Sequence, residues 1–223
     1  MAHDVFDRKQ FQLERLILFS DAVFAIAITL LVLEIRIPKS NWSETITAQQ
    51  LNKYLIDIIP NLLGFVFSFF IIGFYWTVHH RIFGYVTNFD TRLIWLNLIM
   101  LFFVALLPFT TTLTSEYGYL SESFIFYWMN VGFIGLISFL IQLHTSNPAK
   151  KLSVGFEDAN MRRYVLARGL LVCSIFFLSA FLAMCSSTFL QQASRYIYIL
   201  IFPGGIVLKK IYKIKEKPAH HSK

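Results

Sequence analysis

The sequence predicts an all-α integral membrane protein, and three observations support this class. Hydrophobic residues make up 56% of the 223 residues, 24 residues are Phe, and only 15% are charged. Six apolar segments are each about as long as the roughly 20 helical residues that cross the hydrocarbon core of a bilayer. The Lys and Arg residues collect in alternate connections between these segments, which is typical of multi-pass membrane proteins.

The six predicted transmembrane helices follow one another with short connections. They run over Leu16–Ile35, Leu55–Val78, Leu93–Leu113, Phe124–Leu143, Val165–Cys185 and Tyr196–Tyr212. The first is too long for the apolar region of a signal peptide and no small-residue cleavage site follows it, so we expect it to be retained. Pro108 lies near the end of the third helix. Pro203-Gly204-Gly205 lies in the middle of the sixth and predicts a kink there.

The distribution of basic residues predicts that both termini are cytoplasmic. With the N-terminus inside, 16 of the 20 Lys and Arg residues fall on the inner side and 4 on the outer side. This bias explains the formal charge of +7 without nucleic acid as a partner. We therefore expect a six-helix transmembrane domain over residues 1–212 and a basic cytoplasmic tail over residues 213–223, which would favour anionic lipid.

Enzyme motifs are missing from the sequence. It contains no Gly-rich phosphate loop, no paired carboxylates within one span and no nucleophile–base pair, so we expect neither an enzyme nor a cofactor. Cys173 and Cys185 are about 18 Å apart along one helix, too far for a disulfide, and are predicted to be small buried hydrophobic residues. The outer-loop sequence Tyr117-Gly118-Tyr119 is similar to part of a potassium-channel filter, but without a re-entrant helix it predicts a turn.

The first span carries Asp21, a carboxylate that is costly in hydrocarbon and therefore marks a candidate functional site. On a helical wheel with 100° per residue, Leu30 and Leu33 lie within about 40° of Ile26 and Thr29 lies about 60° from it. Asp21 lies about 140° away, near the opposite side. The aliphatic face can contact lipid or neighbouring helices, or it can form a hydrophobic constriction in an oligomeric pore.

Ser20 and Asp21 need hydrogen-bonding partners if they lie inside a helical bundle. The candidate partners are polar or basic side chains near the predicted cytoplasmic side, namely Arg15, Trp76, His79, His80 and Asn97. Two roles remain open: a polar cluster that fixes helix packing, or a proton relay from Asp21 to a histidine. Adjacent histidines point about 100° apart on a helix, so His79-His80-Arg81 does not predict a metal site.

Four short motifs in the first three spans resemble the transmembrane protein 175 family of potassium channels, in its single-repeat prokaryotic branch. Residues 15–21 match the RxxxFSD signature of that family, and residues 22–31 continue as the family does. The other matches are Trp76-Thr77-Val78-His79-His80-Arg81, Leu96-Asn97-Leu98 and Leu107-Pro108-Phe109. Spans four to six resemble the family only in layout.

This resemblance implies a potassium-preferring cation channel that forms a homotetramer in the cell (inner) membrane. The first helix of each subunit would line the central pore, with a constriction at Ile26 and further pore-facing residues at Thr29, Leu30 and Leu33. The signature residues would hold the helices together, in a network of Arg15, Phe19, Ser20, Asp21, Trp76, His79, His80 and Asn97. Four threonine hydroxyls offer fewer oxygens than stacked carbonyls, so selectivity for potassium over sodium is expected to be weak.

The implied pore residues fall on the aliphatic face that the helical wheel identifies, and the implied polar network falls largely away from it. Two other classes of protein remain open at this point. One is a proton-coupled transporter that uses Asp21 with His79 or His80. The other is a membrane-embedded assembly protein that conducts no ions.

Overall fold

Long antiparallel helices form the structure, which is a computed structural model describing residues 2–33, 35, 47–156 and 158–213, with side chains from residue 8 onward. Eight α-helices lie in this part of the chain. They are α1 (Ala2–Leu33), α2 (Ala48–Asp57), α3 (Ile59–Phe83), α4 (Thr91–Glu116), α5 (Ser121–Thr145), α6 (Ala159–Met184), α7 (Thr188–Ser194) and α8 (Ile201–Ile211). The only strand-like pairing among the described residues is an isolated bridge between Val86 and Ser153.

Five helical stretches are long and apolar enough to cross a membrane. They are Arg8–Leu33, Ala48–Phe83, Thr91–Glu116, Ser121–Thr145 and Ala159–Met184. Each contains most of one of the first five predicted spans, so the prediction of a multi-pass, all-helical membrane protein is confirmed. The helical boundaries extend beyond the predicted ones because polar capping residues outside the hydrocarbon, such as Asp90 and Asp158, set where helices begin.

The sixth predicted span has a different structure from the other five. Residues Ile197–Leu200 form a 3₁₀ turn, and the 11 residues of α8 follow it. Because Pro203 has no N–H to donate to the carbonyl of Ile199, regular α-helix begins only after that turn. The break therefore precedes Pro203 instead of lying at the two glycines. Together the two pieces span about 25 Å, and a sixth membrane-length helix is not confirmed.

Alternate connections meet at the same end of the bundle. The α5–α6 connection is joined to the α3–α4 connection by hydrogen bonds from Thr87 N to Leu152 O (2.9 Å) and from Val154 N to Tyr85 O (2.9 Å). Asn160 donates to the carbonyl of Tyr212 (2.7 Å), which brings the end of α8 to the same place. This end carries most of the basic residues that predict the cytoplasmic side. Arg36, Lys39 and the tail residues 214–223 lie outside the described residues.

The opposite end contains the turn between α4 and α5. The Tyr117-Gly118-Tyr119 sequence forms this turn, closed by a hydrogen bond from Leu120 N to Tyr117 O (2.9 Å), as predicted. Arg195 donates to the carbonyl of Gly118 (3.0 Å) and lies over the ring of Phe124 (4.3 Å). These contacts attach the segment after α6 to the α4–α5 turn.

Close packing of α5 against α3 and α6 depends on a glycine. A Cβ atom at Gly135 would lie 2.9 Å from the hydroxyl of Tyr75 and 3.2 Å from Cβ of Cys173. The Tyr75 hydroxyl donates to the carbonyl of Val131 (2.9 Å) and is thereby satisfied in the core. Cys173 is buried as predicted, but Cys185 is only partly buried because it follows the last residue of α6.

An acidic and a basic residue flank a histidine at the end of the bundle where α4 begins. Asp90 caps α4 by accepting from Leu93 N (2.8 Å), and His144 Nε2 lies 2.8 Å from its other carboxylate oxygen. Lys150 Nζ lies 2.9 Å from His144 Nδ1, and since Lys can only donate, Nε2 carries the imidazole proton. Burial opposes ionisation of Asp90, but the Leu93 amide, His144 and Lys150 together hold its pKa below the usual value.

We expect Asp90→Ala to lower the melting temperature of the detergent-solubilised protein, because an N-cap contributes about 1 kcal/mol and His144 loses its partner. Asp90→Asn keeps a capping oxygen, so its melting temperature should lie between those of wild type and Asp90→Ala. Since folding lowers the pKa of Asp90, its contribution is present above the usual carboxyl pKa and is lost as the pH falls through the folded value. Melting temperatures of wild type and Asp90→Ala at neutral and at acidic pH measure this contribution, and the difference between them should shrink as the pH falls. Equal melting temperatures of wild type and Asp90→Ala at neutral pH would contradict it.

Candidate functional site

Helix α1 has one side buried in the protomer and one side exposed. The buried residues, which pack toward α3 and α4, are Leu13, Ser20, Phe24, Ala27 and Leu31. They occupy an arc of about 60° on the helical wheel, and the exposed residues between Phe11 and Leu33 occupy an arc of about 160° on the other side. The four residues predicted to line a pore lie in the exposed arc. Ile26 is 56% exposed and Leu33 is 68% exposed.

The buried side of α1 is joined to α3 and α4 by a directional chain of hydrogen bonds. His79 Nε2 lies 2.9 Å from Asn97 Oδ1, Asn97 Nδ2 donates to Ser20 Oγ (2.8 Å), and Ser20 Oγ donates to the carbonyl of Leu16 (2.9 Å). Asn97 Oδ1 can only accept, so His79 Nε2 carries the proton. Ser20, His79 and Asn97 are each 1% exposed or less. The chain ends on a backbone carbonyl, that of Leu16.

Asp21 lies beside this chain but is not part of it. Its Oδ1 accepts a hydrogen bond from the indole Nε1 of Trp76 (2.9 Å). The ring of Trp76 stacks on that of His80, with 5.5 Å between centroids. Neither His79 nor His80 forms a hydrogen bond with Asp21. The structure thus brings the predicted partners together in two groups, Ser20–Asn97–His79 and Asp21–Trp76–His80.

Two residues of the predicted network, Arg15 and Phe19, lie apart from both groups. Phe19 is 51% exposed, and Arg15 is exposed, 5.9 Å from the ring of Phe11. On the helical wheel both lie within about 20° of Ile26, on the exposed side of α1. Any role for them in holding helices together would therefore involve groups outside this protomer.

Two aromatic residues complete the surroundings of His79 and were not predicted from the sequence. The ring of Phe83 stacks on that of His79 at 4.2 Å, and the ring of Phe24 lies 5.6 Å from it. The position of Phe83, four residues after His79 on one helix, could have indicated this contact. Phe24, which lies four residues after Ser20 on α1, follows the same rule.

A second polar cluster, near the other end of the bundle, was also not predicted. Thr111 Oγ1 donates to Ser68 Oγ (2.8 Å), and the Ser68 and Tyr127 hydroxyls lie 3.0 Å apart. These three residues are buried and join α3, α4 and α5. Together with the Ser20–Asn97–His79 chain, this cluster fixes the register of the helices that support α1.

Thr29 is the exposed hydroxyl on the predicted pore face. Its Oγ1 donates to the carbonyl of Ile26 (2.9 Å), which satisfies the hydroxyl proton within the helix. The oxygen lone pairs remain available to an external donor or cation. In the described part of the chain, no three His, Cys, Asp or Glu side chains are close enough together to hold a metal ion.

These features define a multi-pass, all-helical membrane protein in which polar clusters support one exposed helix face. Residues 15–108, which contain every predicted site residue, match the family described as "Endosomal/lysosomal potassium channel TMEM175". A potassium channel of Chamaesiphon minutus is 42% identical over 109 residues, which are 49% of this chain and 52% of that protein. An endosomal/lysosomal proton channel TMEM175 of Gallus gallus is 38% identical over 108 residues, 47% of this chain and 22% of that protein.

The similarity in fold extends beyond the matched sequence. The crystal structure of a lysosomal potassium-selective channel TMEM175 homolog from Chamaesiphon minutus is 26% identical, with a TM-score of 0.72 over 89% of this chain and 99% of that chain. The chain is thus similar to the TMEM175 family in sequence over residues 15–108 and similar in fold to a solved homolog over most of its length. Its sequence matches span about half the length of the bacterial relatives.

Proposed function

We propose that the chain is one subunit of a homotetrameric, potassium-preferring cation channel in the cell membrane of a prokaryote. The part of the exposed side of α1 that carries Ile26, Thr29, Leu30 and Leu33 lines a central pore in this proposal. The observation that carries it is the unpaired apolar face of a membrane-length helix, whose other face is held in place by the Ser20–Asn97–His79 chain. The potassium-channel names of bacterial relatives support the same function.

Both termini would lie in the cytoplasm, with six crossings of the membrane. The hydrogen bond from Asn160 to Tyr212 supports this topology, because it places the end of α8 beside the start of α6. The 3₁₀ turn and α8 would then make a short sixth crossing. Residues 1–212 would form the channel domain and residues 213–223 a basic cytoplasmic tail.

Four copies of Ile26 would form the constriction in such a tetramer. Ile26 lies near the middle of the Leu16–Leu33 segment and so near the middle of the bilayer. A ring of aliphatic side chains excludes hydrated ions by dewetting and needs no filter of stacked carbonyls. Leu30 and Leu33 would extend the apolar wall toward the outer side, with the Thr29 hydroxyls between them and Ile26.

We expect Thr29→Val to lower the permeability ratio of potassium to sodium toward one, because it removes the only hydroxyl on this face while keeping the side-chain shape. Thr29→Ser keeps the hydroxyl and should retain the ratio. Reversal potentials with potassium on one side of the bilayer and sodium on the other measure it. If Thr29→Val has the same ratio as wild type, Thr29 plays no part in selectivity.

Recording from the purified protein in planar bilayers tests the proposed function. Single-channel steps whose reversal potential shifts with the potassium gradient, together with a tetramer by native mass spectrometry, are the expected result. A saturating flux without single-channel steps, driven by the proton gradient and lost in Asp21→Asn, would instead show a proton-coupled transporter. Absence of any conductance or flux from a folded tetramer would show an assembly protein.

Proton permeation is the second candidate function, because vertebrate relatives are named proton channels. The hydrogen bonds of the protomer do not favour a relay through Asp21, since it accepts from Trp76 and has no bond to either histidine. Any proton current is therefore expected to follow the pore and to persist in Asp21→Asn. Currents in a pH gradient without potassium test this.

A further inference from the structure

A cavity of about 130 Å³ lies between α3, α5 and α6, near the end of the bundle where the α3–α4 and α5–α6 connections meet. Tyr85 and Phe156, one from each connection, line it with their ring centroids 5.4 Å apart. A cavity of about 150 Å³ can hold a benzene molecule, so this one has room for a group of roughly five heavy atoms. Phosphate and sulfate are groups of that size.

The charged side chains that line this cavity are both cationic. They are Arg81, in the last turn of α3, and Arg168 of α6, and no acidic side chain among the described residues lines the cavity. Arg81 is exposed and Arg168 is partly buried, and neither forms a salt bridge with a described residue. Because the planar donors of a guanidinium bind an oxyanion in a bidentate manner, the cavity favours a small anion.

The same cavity is lined by a buried amide with an unused acceptor. Gln142 of α5 is 8% exposed, and its Oε1 is buried and accepts no hydrogen bond. The hydroxyls of Tyr75, Ser138 and Thr145 also line the cavity, but each donates to another group. Gly169 is the neighbour on α6, where a Cβ atom would lie 3.1 Å from Gln142 Oε1. Since buried acceptors in proteins are rarely left unpaired, Gln142 favours a ligand with a donor.

Cationic donors and one unused acceptor together fit an anion that also carries a hydroxyl group. At neutral pH inorganic phosphate keeps at least one proton, which its P–OH group can donate to an amide oxygen. Sulfate has the same shape and a similar charge but carries no proton at this pH. The arginines bind either anion, so Gln142 is the group that distinguishes phosphate from sulfate.

We propose that this cavity is a binding site for inorganic hydrogen phosphate. Its anionic oxygens accept hydrogen bonds from Arg168 and Arg81, and its hydroxyl donates to Gln142 Oε1. The small volume favours free phosphate over the phosphate of a lipid headgroup, which brings its glycerol with it. No residue of α1 lines the cavity, so the site does not depend on the proposed conduction pathway.

Isothermal titration calorimetry of the purified full chain in detergent tests this, with sodium phosphate or sodium sulfate added to chloride buffer at constant ionic strength. We expect saturable binding of phosphate, and binding of sulfate that is about tenfold weaker because sulfate leaves Gln142 Oε1 unpaired. Arg168→Gln should weaken the binding of both anions about tenfold, since it removes a charge-assisted hydrogen bond. Arg163→Gln is the matched control, because Arg163 is exposed on the same helix and does not line the cavity.

A variant of Gln142 tests the source of the preference. Gln142→Leu has a similar volume and no acceptor, so it should bind phosphate and sulfate with nearly equal affinity. Melting temperatures in chloride buffer verify that the variants are folded, and Gln142→Met serves the same purpose if Gln142→Leu is not.

Four results would each overturn the proposal. They are no saturable phosphate binding to wild type, equal affinity of wild type for phosphate and sulfate, equal effects of Arg168→Gln and Arg163→Gln, or a preference for phosphate that persists in the folded Gln142 variant. A parallel titration with phosphatidic acid identifies the source of the phosphate group, and binding of this lipid without binding of free phosphate would also contradict the proposal. All of these outcomes are independent of whether the protein conducts ions.

Discussion

Replacing Ile26 with Asn is expected to raise single-channel conductance on the order of tenfold. Ile26 is 56% exposed in the protomer and lies at the centre of the apolar face of α1. Four polar side chains in place of four aliphatic ones would allow water to fill the constriction, which lowers the barrier to ion entry. A barrier that is lower by about 1.4 kcal/mol corresponds to a tenfold higher rate. Ile26→Ala should also raise conductance by widening the constriction.

Val32→Ala is the control for the Ile26 variants. Val32 is 51% exposed, but on the helical wheel it lies about 120° from Ile26. Val32→Ala loses a similar amount of apolar surface without changing the predicted constriction. The conductance of this variant should therefore stay near that of wild type. Unchanged conductance in both Ile26 variants, measured on purified tetramers, would rule out Ile26 as the constriction.

Replacing Asn97 with Ala is expected to have the largest effect on stability. Asn97 is fully buried and is the middle member of the chain that joins His79 to Ser20. Its loss leaves the His79 Nε2 proton without an acceptor and Ser20 Oγ without its donor. Each buried group left unpaired costs about 1–3 kcal/mol, so we expect a loss of about 2–5 kcal/mol and a clearly lower melting temperature.

Asn130→Ala is the matched control, because Asn130 is also buried in a spanning helix. It makes one long hydrogen bond, to Thr110 Oγ1 at 3.3 Å, and its own Oδ1 has no partner. Thr110 keeps its bond to the carbonyl of Leu107 when Asn130 is removed. Melting temperatures in detergent that fall equally for the two variants would show that the Ser20–Asn97–His79 chain has no special role in holding α1.

Periodicity predicted the part of the site that lies within one helix. The two sides of α1 follow from 100° per residue, so the exposed position of Ile26 and the buried position of Ser20 could both be inferred from the sequence. The same arithmetic places Arg15 and Phe19 on the exposed side. The prediction that placed Arg15 and Phe19 in one polar network with Asp21 followed the sequence motif and did not use these wheel positions.

Contacts between distant parts of the chain could not be predicted in detail. Asp90 and His144 are 54 residues apart, and no local pattern indicates that they meet. The choice of Asn97 as a bridge was possible because few polar residues lie in the third span. That His79, and not His80, reaches Asn97 depends on how α3 is rotated, which hydropathy does not determine.

The sixth segment shows the limit of hydropathy for helix length. Its apolar residues predicted one kinked helix, but backbone hydrogen bonding decides where the helix begins. Pro203 removes one donor, and the residues before it form a 3₁₀ turn. Composition alone cannot distinguish these two forms.

The central claim, that the part of the exposed side of α1 around Ile26 lines a pore, is tested most directly by cysteine accessibility. Single cysteines at Ile26, Thr29, Leu30 and Leu33 would be introduced into a background in which Cys173 and Cys185 are replaced by Ala. A thiol-reactive cation added to open channels should then block current at these positions. It should not block at Phe24 or Leu31, which are buried in the protomer, or at Val32, which is exposed on another part of the helix. Block at Val32 but not at Ile26, or no block at any position of α1, would contradict the claim.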